Sequence, residues 1–287
     1  MSIYSLCKPR ASVFSADRRA TVLSLDALLK REIKGTEFFE ENFFTNGMLA
    51  LVDRAFRHLG GSSAGSSVFL LSQAMGGGKT HSMIALGLLA LDPELRRKVL
   101  AENDPAPTLG RCRVIGFNGR STDASGGIWG SLAGQLGKGD QFARYVSPLL
   151  SAPGPEAWKQ LLGSEPLILF LDELPPYLEY AVAVPVGNAD LGVVTTTALA
   201  NLFIAVAEMN NVCLVLSDLA LSNKFSKTYA VSGRCELLAW IGDGAMFHEA
   251  DKTEIPMVVT SSIRDSPFDC VWLYEPASGR VERFQRD

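Results

Sequence analysis

A chain of 287 residues with 47% hydrophobic and 20% charged residues can bury one large core or two smaller ones, and is neither disordered nor fibrous. Its net charge of −4 and pI near 5.5 argue against the basic surface of a dedicated nucleic-acid module, leaving room only for a local basic patch. Five scattered cysteines without a CxxC pair, three histidines, no secretion-type leader and no bilayer-length apolar run exclude a zinc module and predict a cytoplasmic protein outside the membrane.

Residues 1–45 are polar with mixed patterning and read as an N-terminal segment packed on the main domain. Within it Asp26 to Arg31 suits a short helix, and TEFFEENFF offers aromatic anchors. From Thr45 the periodicity sharpens. Met48, Leu51, Val52, Ala55, Phe56 and Leu59 recur at helical spacing, ended by Gly60-Gly61 and a Ser/Gly linker. An apolar strand, Val68 to Leu71, then enters a glycine turn and a helix from about Thr80 to Leu91; Asp92-Pro93 punctuates it before ELRRKVL resumes helical character. Further strands are expected at Cys112 to Phe117, Leu167 to Leu171 and Val212 to Leu216. A glycine-loosened helix is expected at GGIWGSLAGQLG and another from about Val194 to Glu208. The run at Leu167 is apolar throughout, as a strand covered on both faces should be. Strands alternating with helices predict a parallel sheet between helical layers, with residues 46–224 as the core. Beyond 225 the pattern weakens: IPMVVTSS and CVWLY offer two more strands in a tail, 225–287, of unassigned fold.

The chemistry is concentrated in QAMGGGKTH. A strand that runs into a helix through glycines presents consecutive N–H groups, and the positive end of the helix dipole, to a phosphate. Gly76, Gly77 and Gly78 supply the room, Lys79 reaches for the β- and γ-phosphates, and the Thr80 hydroxyl suits Mg²⁺. His81 follows in the first helical turn, where it either touches phosphate or packs against the sheet. Gln73 stands where the pattern G-x-x-x-x-G-K-[ST] has its first glycine, so the start of the loop is altered while the phosphate cradle is kept. The plain alternative is a glycine turn carrying a solvated lysine.

LILFLDELPP supplies a second half. Asp172 and Glu173 follow an apolar run, and strand alternation turns them in different directions. Asp172 suits the Mg²⁺ shell, and Glu173 suits orienting and polarising a water; a solvated acidic strand end is the alternative. The adjacent pair points to the additional-strand class of P-loop ATPases, with VCLVLSD inserted between the P-loop strand and the Asp172 strand. At its tip Ser217 and Asp218 are both candidates to sense the γ-phosphate. Asn118, ending VIGFN, is a candidate to hydrogen-bond Glu173 and hold it back until a partner binds. Arg120, Arg234 and Arg264 are available, with none singled out. The expected fold is α/β: a three-layer α/β/α sandwich of the P-loop NTPase, AAA-like kind with a mainly parallel sheet.

With these residues in place the chain resembles the large, predicted AAA-type ATPases of a domain family of unknown function, encoded beside DNA methyltransferases in prokaryotic phage-defence islands. QAMGGGKTHSMIALGLLA, GFNGRSTD with GIWG, PLILFLDELPPYLEYA, VGNADLGVVTTTALANLFIAVA and NVCLVLSDL carry the resemblance, from roughly Thr36 to Ala220. It implies that a non-glycine residue is tolerated at Gln73. It also implies Mg²⁺-dependent ATP hydrolysis coupled to conformational change, with protein partners in a DNA-modification or defence complex, an optional homo-oligomer, and direct DNA contact left open. Members are typically several times longer, so the chain is expected to be a truncated or frame-altered one, without the helical lid and its sensor arginine. A second hypothesis is an ATP-responsive scaffold or switch with little or no turnover. A third, a small-molecule kinase, suits Asp172-Glu173 less well and lacks an arginine-rich acceptor lid.

Overall fold

The computed structural model describes residues 23–61, 67–73, 78–120, 124, 126–148, 150–219, 270–275 and 280–285. Three helices lead into the sheet: α1 (Leu25–Leu29), α2 (Gly35–Glu41) and α3 (Asn46–Leu59). Hydroxyl caps start two of them, Ser24 accepting from the Ala27 N–H and Thr45 from the Met48 N–H, each at 3.2 Å. α3 buries Met48, Leu51, Val52, Ala55, Phe56 and Leu59, the residues whose spacing predicts it. β1 (Val68–Gln73) leads to α4 (Lys79–Leu91), and the Asp92 side chain then caps α5 (Pro93–Leu100). β2 (Arg113–Asn118), α6 (Gly127–Gln135), the single turn α7 (Gly139–Phe142) and α8 (Pro155–Leu162) follow. The core closes with β3 (Leu167–Asp172), α9 (Leu174–Val182), the two-residue strands β4 (Pro185–Val186) and β5 (Ala189–Asp190), α10 (Leu191–Ala207) and β6 (Val212–Leu219).

Four strands form one parallel sheet in the order β1-β6-β3-β2. The insertion of β6 between β1 and β3 is the order that the adjacent Asp172-Glu173 predicts. Strand alternation sorts the side chains into two cores. Leu167, Leu169 and Leu171 of β3, with Val212, Leu214 and Leu216 of β6, meet Trp129, Trp158, Tyr177 and Phe203 from α6, α8, α9 and α10. Ile168 and Phe170, with Phe69, Leu71, Cys213 and Val215, meet α1, α3 and α4 on the other face. Every β3 side chain is buried, which is what a parallel strand between two helical layers requires. α4 is buried continuously from Ser82 to Ala90, so its apolar residues run all round the helix and not along one stripe. Burial pushes the Cys112 and Cys213 thiols up, Cys112 to about 11, and both serve as small core hydrophobes.

A buried cation fixes the connection from α5 to β2. The Arg96 guanidinium donates to Asp104 at 3.2 Å and to the carbonyls of Ala106 and Leu109, and lies 4.8 Å from the centre of the Phe56 ring.

Among the helices not expected from the sequence, α8 and α9 carry prolines in their first turns. α8 begins on Pro155, and α9 begins Leu174-Pro175-Pro176. Proline is tolerated in a first turn because the N–H groups there have no helical partner. CVWLY lies in β7 (Cys270–Glu275), paired antiparallel with β8 (Arg280–Gln285), while IPMVVTSS falls outside the described residues. Among the described residues no helix is long and apolar enough to cross a membrane.

Candidate functional site

The strands of the sheet end nearly level. The register sets Asn118 beside Asp172, Leu171 beside Leu216, and Leu71 beside Ser217. Asn118, Asp172, Ser217 and the start of α4 therefore share the carboxyl edge of the sheet, where open α/β folds bind their ligands.

Gly78 caps α4 at φ 78° and ψ 18°, a left-handed conformation that glycine adopts without a Cβ penalty. Its carbonyl accepts from the Ser82 N–H at 2.9 Å and the Ser82 hydroxyl at 3.1 Å. Lys79 and Thr80, both half-buried, open the helix. Gly76 and Gly77 lie outside the described residues. Thr80 Oγ1 donates to Asp172 Oδ2 at 2.8 Å, joining the two sequence motifs. The other carboxylate oxygen, Oδ1, accepts from the Ser217 hydroxyl, and Ser217 Oγ accepts from the Glu173 N–H at 3.2 Å. Asp172 and Ser217 are 3% and 4% exposed, so the Asp172 carboxylate is pinned from both sides.

A threonine hydroxyl and a carboxylate oxygen in contact are the hard oxygen donors that Mg²⁺ takes when water and phosphate complete its shell. Among the described residues no group of three or more His, Cys, Asp or Glu is placed to hold a metal by itself. The Thr80 hydroxyl and the Asp172 carboxylate are oxygen donors of the kind that suits such a cation.

Glu173 lies immediately outside β3 as the N-cap of α9, at φ 50° and ψ 45°. A non-glycine residue held there is uncommon and costs backbone strain. Its side chain pairs with Arg120, which donates from Nη2 to Oε1 at 3.2 Å and from Nε to Oε2. The hydrogen bond and charge of Glu173 hold the Arg120 pKa above its usual value, and the charge of Asp172 adds to this. Gly119 makes this approach possible. A Cβ there would lie 1.9 Å from the Glu173 carbonyl oxygen and 2.6 Å from its carbon, while the Gly119 N–H donates to the Asp172 carbonyl at 2.8 Å. Only glycine fits between β2 and the start of α9.

The expected bond from Asn118 to Glu173 is not formed. Asn118 Nδ2 donates instead to Asp26 Oδ2 of α1 at 3.2 Å, and Asn118 Oδ1 accepts from the Arg120 N–H at 3.1 Å. A guanidinium offers a carboxylate two charge-assisted bonds where a neutral amide offers a weaker one, so Arg120 takes the place foreseen for Asn118. His81 packs on Phe38, ring centres 4.8 Å apart, and burial lowers its pKa, favouring the neutral ring. The backbone of Asp218 continues β6, but its side chain, like Arg234 and Arg264, falls outside the described residues. Gly119 has no role in the motif reading beyond its place in GFNGRSTD, and Arg120 stands there only as one of three available arginines. Their one sequence signal is a glycine and an arginine directly after a strand end, in NGR.

A cavity of about 720 Å³ lies on the outer side of β2, with Asp26, Asn118, Gln135 and Phe142 in its wall. Asn118 lines it, while Thr80 and Asp172 do not. Gln135 closes the β2 edge beside it, exchanging hydrogen bonds of 2.7 and 3.0 Å with the Gly116 backbone.

Residues 29–103 match the DUF499 N-terminal domain, a family of unspecified function. The matched stretch runs from the end of α1 through α2, α3, β1, α4 and α5, and so contains Gly78, Lys79 and Thr80 but neither Asp172 nor Glu173. No curated protein matches the chain.

Proposed function

We propose that the chain is a P-loop protein that binds Mg-ATP and hydrolyses it, coupling turnover to conformational change. The observation that carries this reading is the 2.8 Å hydrogen bond between Thr80 and Asp172, two motif residues 92 positions apart in sequence. In this reading the glycine turn from Gly76 to Gly78 and the start of α4 cradle the phosphates, and Lys79 neutralises the β- and γ-phosphate charge. Thr80 and Asp172 would hold Mg²⁺, which when bound would supply charge neutralisation at the phosphate oxygens. Ser217 is a positioning residue that orients Asp172 and braces the Glu173 backbone. Glu173 accepts a proton from the attacking water as the water oxygen bonds to the γ-phosphorus. The bond from that phosphorus to the β,γ-bridging oxygen breaks, ADP leaves with the bridging oxygen, and the γ-phosphate becomes inorganic phosphate. His81, packed on Phe38, acts from the helix core and not on the phosphates. The resemblance in the motifs extends the proposal to a cytoplasmic role in a DNA-modification or phage-defence complex with protein partners.

A second reading is favoured by the Arg120–Glu173 pair, which occupies the water-activating carboxylate. There the chain is an ATP-responsive switch or scaffold with little turnover. Calorimetry and phosphate release on wild type, Lys79→Ala and Glu173→Gln test both readings. The hydrolase reading expects Lys79→Ala to lose Mg-ATP binding, and Glu173→Gln to keep binding while phosphate release falls by about 100-fold or more. Tight binding with no release from the wild type selects the switch. Absence of any Lys79-dependent affinity for ATP would sink both.

A further inference from the structure

We propose that Arg120 is the residue that reads the γ-phosphate: a guanidinium from the same chain that exchanges the Glu173 carboxylate for the terminal phosphate of a bound triphosphate, and thereby frees Glu173 to meet water. The inference rests on the nucleotide reading of the site given above.

The base of the Arg120 side chain is fixed. The Gly119 N–H extends the pairing of β2 with β3 by donating to the Asp172 carbonyl at 2.8 Å. The Arg120 N–H is held at 3.1 Å by Asn118 Oδ1, and Asn118 is itself tied to Asp26. From this footing the guanidinium reaches both oxygens of Glu173 and stands within the field of Asp172, the carboxylate bonded to Thr80. It therefore lies beside the corner of the site where a metal-bound terminal phosphate belongs.

The chemistry of exchange follows from the partners. A guanidinium that grips a carboxylate through two N–H groups grips a phosphate in the same planar fork. Arg120 is 67% exposed and Glu173 39%, so the pair forms largely in water, where such contacts are weak and readily replaced. A γ-phosphate carries more negative charge than one carboxylate and is held in place by the rest of the nucleotide. A diphosphate has no such group, and leaves Arg120 on Glu173. The site then recognises triphosphate and arms its water-activating residue in a single step, and returns to the paired state once inorganic phosphate departs.

Calorimetric affinities for Mg-ATP and Mg-ADP, measured on wild type, Arg120→Ala, Arg120→Lys and Glu173→Gln, test the proposal. Arg120→Ala is expected to weaken ATP binding by about tenfold or more while leaving ADP binding unchanged, and Arg120→Lys to recover part of the loss. Glu173→Gln removes the competing carboxylate and should raise the preference for ATP over ADP, the opposite sign. A purely structural role for Arg120 predicts equal losses for both nucleotides, and that result, or no change in either, overturns the inference while the nucleotide reading stands. Wild type that binds neither nucleotide through Lys79 overturns both.

Discussion

The chain contains two arginine–carboxylate pairs of the same chemistry in opposite surroundings. Arg96 and Asp104, joining α5 to the loop before β2, are 0% and 2% exposed. Arg120 and Glu173, at the carboxyl edge of the sheet, are 67% and 39% exposed. The first guanidinium has further partners in the Ala106 and Leu109 carbonyls and the Phe56 ring, and Asp104 also accepts from the Ala106 N–H at 3.0 Å. The second has only the Glu173 carboxylate as a hydrogen-bond partner for its guanidinium among the described residues. A buried pair held by several fixed neighbours has no water to exchange with, so it fixes a loop, although Arg96 Nη1 itself makes no hydrogen bond among the described residues. An exposed pair with one partner can exchange it, so it suits a site that must change state. Burial, not residue type, separates the two pairs.

Breaking the buried pair should give the largest effect. Arg96→Ala leaves the Asp104 carboxylate without its cation in a place water does not reach, and should cost about 3–5 kcal/mol of folding stability in urea titrations. The double variant Arg96→Met with Asp104→Asn keeps the bond from the Ala106 N–H and removes the stranded charge, so it should regain much of that loss. A loss below about 1 kcal/mol for Arg96→Ala would place this pair with the exposed ones and dissolve the contrast.

Gly119→Ala sharpens the comparison from the other side. The added Cβ meets backbone at 1.9 Å, and neither the β2 end nor the start of α9 can yield as a flexible side chain would. Separating them should cost about 1–3 kcal/mol, the usual range for overpacking a filled space. In the hydrolase reading it should also lower turnover more than it raises KM, because Glu173 is displaced while Lys79 and Thr80 are not. Full turnover in a folded Gly119→Ala protein would show that the close approach is not needed for the chemistry.

The sheet was largely legible in the sequence because its strands are local patterns. The apolar run from Leu167 forms β3, the run at Val212 forms β6, and the Asp172-Glu173 pair foretold β6 between β1 and β3. Half of the site was legible for the same reason: Thr80 and Asp172 belong to short motifs, and the fold brings them within 2.8 Å. Arg120 was not. Its contact with Glu173 depends on register, which sets Asn118 beside Asp172 and carries Gly119 and Arg120, just beyond β2, to the start of α9. No spacing along the chain encodes that contact, since Arg120 and Glu173 lie 53 positions apart. Its place at the strand end makes Asn118 the sequence candidate to pair with Glu173. A guanidinium two residues further on displaces a neutral amide from a carboxylate. α9 has no counterpart among the helices expected from the sequence: it opens on Leu174-Pro175-Pro176, and proline suits a helix only when it falls in the first turn.

The smallest expected effect is the one that bears most directly on the comparison. Arg120→Ala removes an ion pair that water already screens, and should change folding stability by less than about 1 kcal/mol. At 1 M salt, where the screening length falls to about 3 Å, the difference between wild type and variant should shrink further. Arg96→Ala should keep its deficit at the same salt, since ions do not enter a fully buried contact. Urea titrations of both variants at low and high salt therefore measure the distinction itself. A salt-insensitive loss for Arg120→Ala as large as that for Arg96→Ala would mean that Arg120 is bound into the fold, and a residue bound into the fold is not free to leave Glu173 for a phosphate.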